Sequence, residues 1–144
     1  MLKINLICVG TLKESYWGDA CKEYIKRLSR FCRISVTEIP ESDPEKEGKK
    51  ILEKIEGFSV ALCVEGKPLS SEQLAGMIEK KSLEYPVYTF IIGGSDGLSD
   101  AVKAACQYRL SFSAMTFPHQ LMRVILLEQI YRAFMISANN PYHK

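Results

Sequence analysis

Three segments near the end of the chain carry the residue types from which a ligand site is built. The first is a glycine-rich loop, IGGSDG over residues 92–97, which directly follows an apolar run. Glycines let a ligand approach the backbone closely and permit positive φ angles. The carboxyl end of a parallel strand, where this loop is expected, is where α/β proteins bind ligands. Its spacing matches neither G-x-G-x-x-G nor a phosphate loop, so an ordinary strand-to-helix turn remains the alternative.

The second segment combines hydroxyl groups with apolar surface just before the last helix. Its side chains are those of Ser111, Phe112, Ser113, Met115, Thr116 and Phe117. An adenine-like ring suits such a mixture, because ligand pockets are mostly apolar with a few placed polar groups. The alternative is a short edge strand with Thr116 as a helix cap. Spacing alone favours that alternative.

The third segment is a long helical pattern followed by a titratable tail. Pro118 suits the first turn of a helix that extends to about Ile136. Apolar residues cover nearly its whole circumference, which predicts packing on the sheet and on a second subunit. A wholly internal helix is less favoured, because its polar side chains would need buried partners. The tail ends Tyr142-His143-Lys144; a histidine there could accept a proton near neutral pH, although most chain ends are idle.

Alternating strand and helix patterns must position these segments. Strands are predicted over residues 4–9, 34–39, 60–64, 87–92 and 110–113, and helices over 14–31, 44–55, 70–80, 99–106 and 118–136. This alternation predicts one α/β domain over residues 1–144, with a mainly parallel sheet flanked by helices. The near-continuous apolar run Val87 to Ile92 predicts a strand buried on both faces. The charged helix over 44–55 is expected to be exposed.

Composition restricts the class of protein further. The chain has 144 residues, is 47% hydrophobic and carries a net charge of +2, too small to indicate nucleic-acid binding by itself. No apolar run approaches the roughly 18 residues of a membrane helix, and the N-terminus resembles a strand more than a signal peptide. Five scattered cysteines predict buried thiols in a reducing compartment. A metal site is not expected, because only His119 and His143 could join the cysteines.

A stripe of basic residues recurs at three- to four-residue intervals on the first predicted helix. It consists of Lys22, Lys26, Arg30 and Arg33. Such a stripe can contact phosphates, but a solvated helix face is the favoured interpretation from spacing alone.

Together these segments resemble one family along essentially the whole chain. The matching motifs are the glycine loop, SFSAMTFPHQ over 111–120, the helix from Arg123 to Arg132, the terminal Pro-Tyr-His, VGTLK over 9–13 and YIKRL over 24–28. They are similar to the RlmH-type ribosomal RNA methyltransferases, minimal members of the SPOUT class. The resemblance implies a C-terminal trefoil knot, which no periodicity could have revealed because knots are close to absent elsewhere.

The resemblance also implies an activity and a set of site residues. It implies S-adenosylmethionine as methyl donor and a cytoplasmic homodimer that methylates N3 of a pseudouridine in a helix of large-subunit ribosomal RNA, on the assembled ribosome. The implied cofactor contacts are Leu62, Gly93, Gly94, Phe112, Ser113, Ala114, Met115, Thr116 and Phe117. His143 is the candidate for assisting loss of the N3 proton, with Tyr142 and Arg123 placing the base or balancing charge.

One departure and two alternatives accompany this interpretation. Relatives often have an acidic residue after the leucine of the third strand, where this chain has Cys63; Glu65 is near. The alternatives are another nucleotide-dependent enzyme, such as an oxidoreductase, and a non-catalytic ribosome-binding module. The missing G-x-G-x-x-G pattern counts against the oxidoreductase, and binding of S-adenosylmethionine would distinguish an enzyme from the non-catalytic module.

Overall fold

The computed structural model describes residues 1–143 without the side chain of His143. Its strands are β1 (Leu2–Val9), β2 (Cys32–Ile39), β3 (Phe58–Pro68), β4 (Val87–Ile92) and β5 (Tyr108–Ser111). Its helices are α1 (Ser15–Leu28), α2 (Pro44–Leu52), α3 (Ser71–Lys81), α4 (Asp100–Ala105) and α5 (His119–Ser137), followed by a 3₁₀ turn, Pro141–His143.

The five strands form one sheet in the order β2-β1-β4-β3-β5, and every neighbouring pair is parallel. The predicted α/β architecture is therefore confirmed. Strand β4 lies at the centre of the sheet, and Tyr88, Phe90 and Ile91 on it are fully buried. Burial on both faces explains its near-continuous apolar sequence, since each face of a central strand is covered by helices.

The alternation of side chains along the strands divides the core into two layers. On β1, Ile4, Leu6 and Cys8 belong to the larger cluster, while Ile7 and Val9 belong to the smaller one. Helices α1, α3 and α5 contribute to the larger cluster, and α5 contacts both of the others. Helices α2 and α4 pack together on the opposite face.

Helix α2 is less exposed than its charged sequence predicts. Glu47, Gly48 and Ile51 are buried. A Cβ atom on Gly48 would lie 2.6 Å from the hydroxyl of Ser99, so the absence of a side chain allows α2 to approach the start of α4 closely. The expectation of an exposed helix was wrong on this face, because only the tertiary contact with α4 buries it.

Two helix starts differ in their capping. Ser99, where the sequence predicts a helix to begin, caps α4, because its hydroxyl accepts a hydrogen bond from the backbone N–H of Val102 at 3.3 Å. The alternative role of Thr116 as a cap was wrong. Helix α5 begins at His119, with Pro118 in the cap position and no side-chain cap.

Helix α5 is covered on most sides within a single chain. Leu126, Leu127 and Ile130 are fully buried, and no residue from 119 to 136 is exposed. The helix lies against α1 and α3, and no helix within residues 1–143 is long and apolar enough to cross a membrane. Its apolar circumference is thus explained in part by neighbours in the same chain.

The chain crosses the carboxyl edge of the sheet between β5 and α5. Strand β5 is an edge strand, whereas Gln120 at the start of α5 accepts a hydrogen bond from the backbone of Lys13, just beyond β1. Residues 112–118 therefore span from one side of the sheet to the other. The trefoil knot implied by the family resemblance stays a prediction.

The cysteines behave as predicted for small apolar side chains. All five are free thiols; Cys8, Cys21, Cys32 and Cys106 are buried and Cys63 is half-buried. Burial raises the pKa of Cys8 and Cys32 to about 12. These thiols remain protonated at neutral pH and unreactive.

Candidate functional site

A cavity of about 190 Å³ lies at the carboxyl ends of β3, β4 and β5. Most of the predicted cofactor residues meet in its wall, namely Leu62, Gly93, Gly94, Phe112, Ser113, Met115, Thr116 and Phe117. Ala114 was predicted with them but is exposed and does not line the cavity. Parallel strands place their carboxyl ends on one edge, which is why loops distant in sequence converge here.

The glycine loop closes on itself beside this cavity. The N–H of Gly97 donates to the carbonyl of Gly94 at 3.0 Å, and Gly97 has a φ of 78°. A Cβ atom on Gly93 would lie 2.8 Å from the carbonyl carbon of Gly97 and 3.1 Å from Leu98 Cδ2. The loop therefore needs glycine at Gly93 for its own backbone packing, in addition to the ligand approach that the sequence suggested.

The loop over residues 112–117 is held by its own hydroxyl groups. Ser111 donates to the carbonyl of Ser113 at 3.0 Å, and the hydroxyl of Ser113 accepts from the N–H of Met115 at 2.9 Å. The Met115 side chain lines the cavity and is 74% exposed. Phe112 and Phe117 are half-buried and also line a second cavity, against Ile125 of α5.

Sequence reasoning missed a charged rim on the same cavity. Glu65 and Lys103 both line it, and their side chains form an ion pair. The hydrogen bond from Lys103 lowers the pKa of Glu65, and the same bond raises the pKa of Lys103. The departure at Cys63 lies here too, half-buried in the wall, with a pKa raised by burial. In the sequence, Glu65 drew attention only as an acidic residue close to Cys63, and no pattern pointed to Lys103 as a site residue.

Arg123 lies beside the cavity and does not line it. Its side chain is 5% exposed, and Nη1 donates to Glu38 Oε2 at 2.8 Å. Nη2 donates to the carbonyl of Gly10 at 3.4 Å, while Nε has no hydrogen-bond partner. One turn earlier on α5, His119 lines the cavity with its Nε2 3.6 Å from Glu41. Arg123 thus anchors the first turns of α5 to the ends of β1 and β2.

The predicted catalytic tail lies against the flank of α5. The hydroxyl of Tyr142 donates to the carboxylate of Glu128, and its ring meets Tyr131 edge-on at 4.9 Å between centroids. The guanidinium of Arg132 lies 5.1 Å from the Tyr142 ring centroid. The bond to Glu128 raises the pKa of Tyr142 to about 12. Tyr142 does not line the cavity of its own chain, and the side chain of His143 lies outside the described residues.

The predicted basic stripe does not lie on one helix, because α1 ends at Leu28, before Arg30, and Arg33 lies on β2. The prediction placed all four residues on the first helix and was wrong for the last two. All four side chains, those of Lys22, Lys26, Arg30 and Arg33, are exposed. Among the side chains that the structure describes, no three histidine, cysteine or acidic groups gather as metal ligands do.

The Arg123–Glu38 pair generates an asymmetric stability prediction. Glu38→Ala should lower the free energy of unfolding by about 3 kcal/mol, because it leaves a buried guanidinium without a countercharge. Arg123→Met should cost only about 1 kcal/mol, because Glu38 is 39% exposed and can be hydrated while Met replaces the apolar stem. Urea unfolding of both variants measures the difference. Equal losses would contradict this account.

Comparison with known proteins identifies the family. Residues 2–143 match the family model described as "Predicted SPOUT methyltransferase". The chain is 50% identical to the "Ribosomal RNA large subunit methyltransferase H" of Bifidobacterium adolescentis, covering 99% of this chain and 100% of that protein. It is 48% identical to the protein of the same name from Streptococcus thermophilus, with the same coverage.

Solved structures show the same fold at low sequence identity. A probable methylase family protein of Haemophilus influenzae has a TM-score of 0.61 at 14% identity, over 98% of this chain and 70% of that one. A putative methyltransferase of Legionella pneumophila, solved with bound SAM, has a TM-score of 0.54 at 14% identity, over 92% of this chain and 66% of that one. With the family match spanning β1 to the terminal turn, the chain belongs to the SPOUT methyltransferase family.

Proposed function

We propose that this chain transfers a methyl group from S-adenosylmethionine to N3 of a pseudouridine in a helix of large-subunit ribosomal RNA, on the assembled ribosome. The observation that carries the proposal is the full-length similarity, at about half identity, to proteins named ribosomal RNA large subunit methyltransferase H. The cavity at the carboxyl edge supports it, because its wall contains nearly all the residues that the family resemblance implied as cofactor contacts.

The chemistry of the cavity wall fits this cofactor. Phe112 and Met115 offer apolar surface for an adenine ring, Ser113 and Thr116 offer hydroxyls, and the glycine loop offers bare backbone. When bound, S-adenosylmethionine would supply a methyl group whose carbon a nucleophile attacks in line with the bond to sulfur, which leaves as a neutral thioether. Holding the two reactants in that line is then the main task of the protein, because orientation alone removes much of the barrier.

The remaining task is removal of the proton on N3 of the target base. We assign this to His143, since a histidine accepts a proton near neutral pH. Tyr142 serves as a hydrogen-bond donor, as its bond to Glu128 shows, and this bond raises its pKa further above neutrality. Arg123 acts as a positioning residue, because it fixes the first turns of α5, which carry His119 in the cavity wall.

The tail and the cavity are separate within one chain, and this separation favours a homodimer. Tyr142 is bound to Glu128 on α5, about two and a half helical turns beyond the cavity wall at His119. A second protomer would bring its own tail to the site. The net charge of +2 is small for an RNA-binding protein, so electrostatic attraction of one chain to RNA would be weak. The RNA site would therefore be formed by the dimer together with a preformed surface of the ribosome, in the cytoplasm.

Membership in a methyltransferase family decides against the oxidoreductase considered above. A non-catalytic ribosome-binding module differs from the proposed enzyme in one measurable property, the binding and turnover of S-adenosylmethionine.

Gly93→Val should weaken binding of S-adenosylmethionine by at least tenfold, because its side chain meets the Gly97 backbone and displaces the loop. Isothermal titration measures the affinity. Gly76→Val is the matched control, since a Cβ atom on Gly76 of α3 meets nothing within 4 Å. Equal affinity of wild type and Gly93→Val would refute this placement of the cofactor.

His143→Ala should lower methylation of purified ribosomes by roughly 10²-fold or more, the range for loss of a positioned acid–base group. Its melting temperature and S-adenosylmethionine affinity should stay near wild type, because little packing depends on a residue next to the chain end. Single-turnover transfer of labelled methyl groups, with mass analysis of the modified nucleotide, measures rate and position. Full activity of the variant removes His143 from the mechanism; absence of N3-methylpseudouridine with wild type refutes the proposed function.

The dimer should depend on the half-buried side of α5. Ile125 lines the second cavity together with Leu69 and Gln129, and is only partly covered by its own chain. Ile125→Glu should therefore shift the protein towards monomer without unfolding it, whereas the same change at the fully buried Ile130 should unfold the chain. Sedimentation velocity and circular dichroism distinguish the two effects. A stable wild-type monomer at micromolar concentration would exclude the dimer.

A further inference from the structure

The cavity wall has a polarity that the proposed reaction does not explain. One side consists of glycine backbone, hydroxyls and apolar side chains, including Phe112 and Met115. The other side carries one carboxylate and one ammonium, those of Glu65 and Lys103, joined as an ion pair. Both groups keep access to solvent, at 59% and 25% side-chain exposure respectively. A ligand in this cavity therefore meets charges of both signs at one end.

Glu65 is held in place by a break in the sheet. Leu62 and Lys67 of β3 both lie opposite Leu110 of β5, so residues 63–66 bulge out of the ladder towards the cavity. A Cβ atom on Gly66 would lie 2.8 Å from the carbonyl group of Arg109, so the bulge returns tightly against β5. Lys103 comes from α4, on the other side of the glycine loop. The pair thus joins two separately fixed elements across the cavity rim.

We propose that Glu65 and Lys103 form the subsite for the amino-acid end of S-adenosylmethionine. The carboxylate of Glu65 binds its α-ammonium group, and the ammonium of Lys103 binds its α-carboxylate. This inference rests on the proposed cofactor, and it divides the cavity into an apolar side for the adenine and a charged side for the zwitterion.

The two residues have enough hydrogen-bonding capacity to bind each other and the ligand together. A carboxylate accepts about four hydrogen bonds and an ammonium donates three. The bound state is then a ring of four alternating charges, in which every charge has two neighbours of opposite sign. A preformed pair of this kind orients a zwitterion, because reversing the ligand would place like charges together.

A comparison of two ligands distinguishes the contribution of this subsite to binding from that of the rest of the cavity. S-adenosylhomocysteine carries the amino-acid end, whereas 5′-methylthioadenosine has the same adenosine thioether without it. Glu65→Gln and Lys103→Gln should each weaken the binding of S-adenosylhomocysteine by about tenfold, as expected for loss of one charged hydrogen bond. The affinity for 5′-methylthioadenosine should stay within about twofold of the wild-type value. Glu23→Gln is the control, since it removes a comparable exposed ion pair with Arg27 on α1.

A charge-swapped double variant, Glu65→Lys with Lys103→Glu, excludes a purely structural bridge. The swap retains an ion pair but reverses its polarity, so the binding of S-adenosylhomocysteine should remain weak. Recovery to wild-type affinity would overturn the proposal. Equal weakening of both ligands in the single variants, or weakening of neither, would also overturn it. If the wild-type protein binds neither compound, the proposed cofactor and this subsite both fail, a result distinct from wild-type binding with insensitive variants.

Discussion

The position of α5 depends on one buried interaction, the contact of Arg123 with Glu38 and the carbonyl of Gly10. It ties the start of the helix to the ends of β1 and β2, at the far side of the sheet from β5, where the preceding loop begins. The rest of α5 is then held by apolar packing against α1 and α3, with Leu126, Leu127 and Ile130 fully buried. Because the guanidinium is buried, its carboxylate partner is a structural requirement. The crossing loop over residues 112–118 then joins two fixed ends, β5 and the start of α5.

This crossing loop explains why the cavity forms where it does. It lines the cavity together with the glycine loop, whose own conformation depends on the close approach of Gly93 to the backbone of Gly97. Hydroxyl contacts of Ser111 and Ser113 hold the loop on one side of the cavity, and apolar side chains such as Phe112 and Leu62 line much of the remaining wall. Wall groups that are held in place in this way suit a reaction that depends on orientation.

The C-terminal tail is held by polar contacts with α5, away from the cavity. A carboxylate on α5, Glu128, accepts hydrogen bonds from Tyr24 and Tyr142 and pairs with Arg132. These contacts hold the last turn on the helix flank, beside α1 and away from the cavity of the same chain. Because the tail lies away from the cavity of its own chain, the proposed active site would combine that cavity with the tail of a second protomer.

Local sequence patterns are enough to predict the alternation of strands and helices, the buried centre of the sheet and the loops that meet at its carboxyl edge. These features follow from local periodicity and from the rule that parallel strands end on one side. The remaining features follow from the three-dimensional packing. The packing buries Glu47 and Gly48 through the approach of α4 and turns Ala114 outward. It places the guanidinium of Arg123 against Glu38 and the carbonyl of Gly10, outside the cavity wall. It also joined Glu65 to Lys103 across the rim. Each of these outcomes depends on contacts between residues distant in the chain, and such contacts have no period from which they can be recognised.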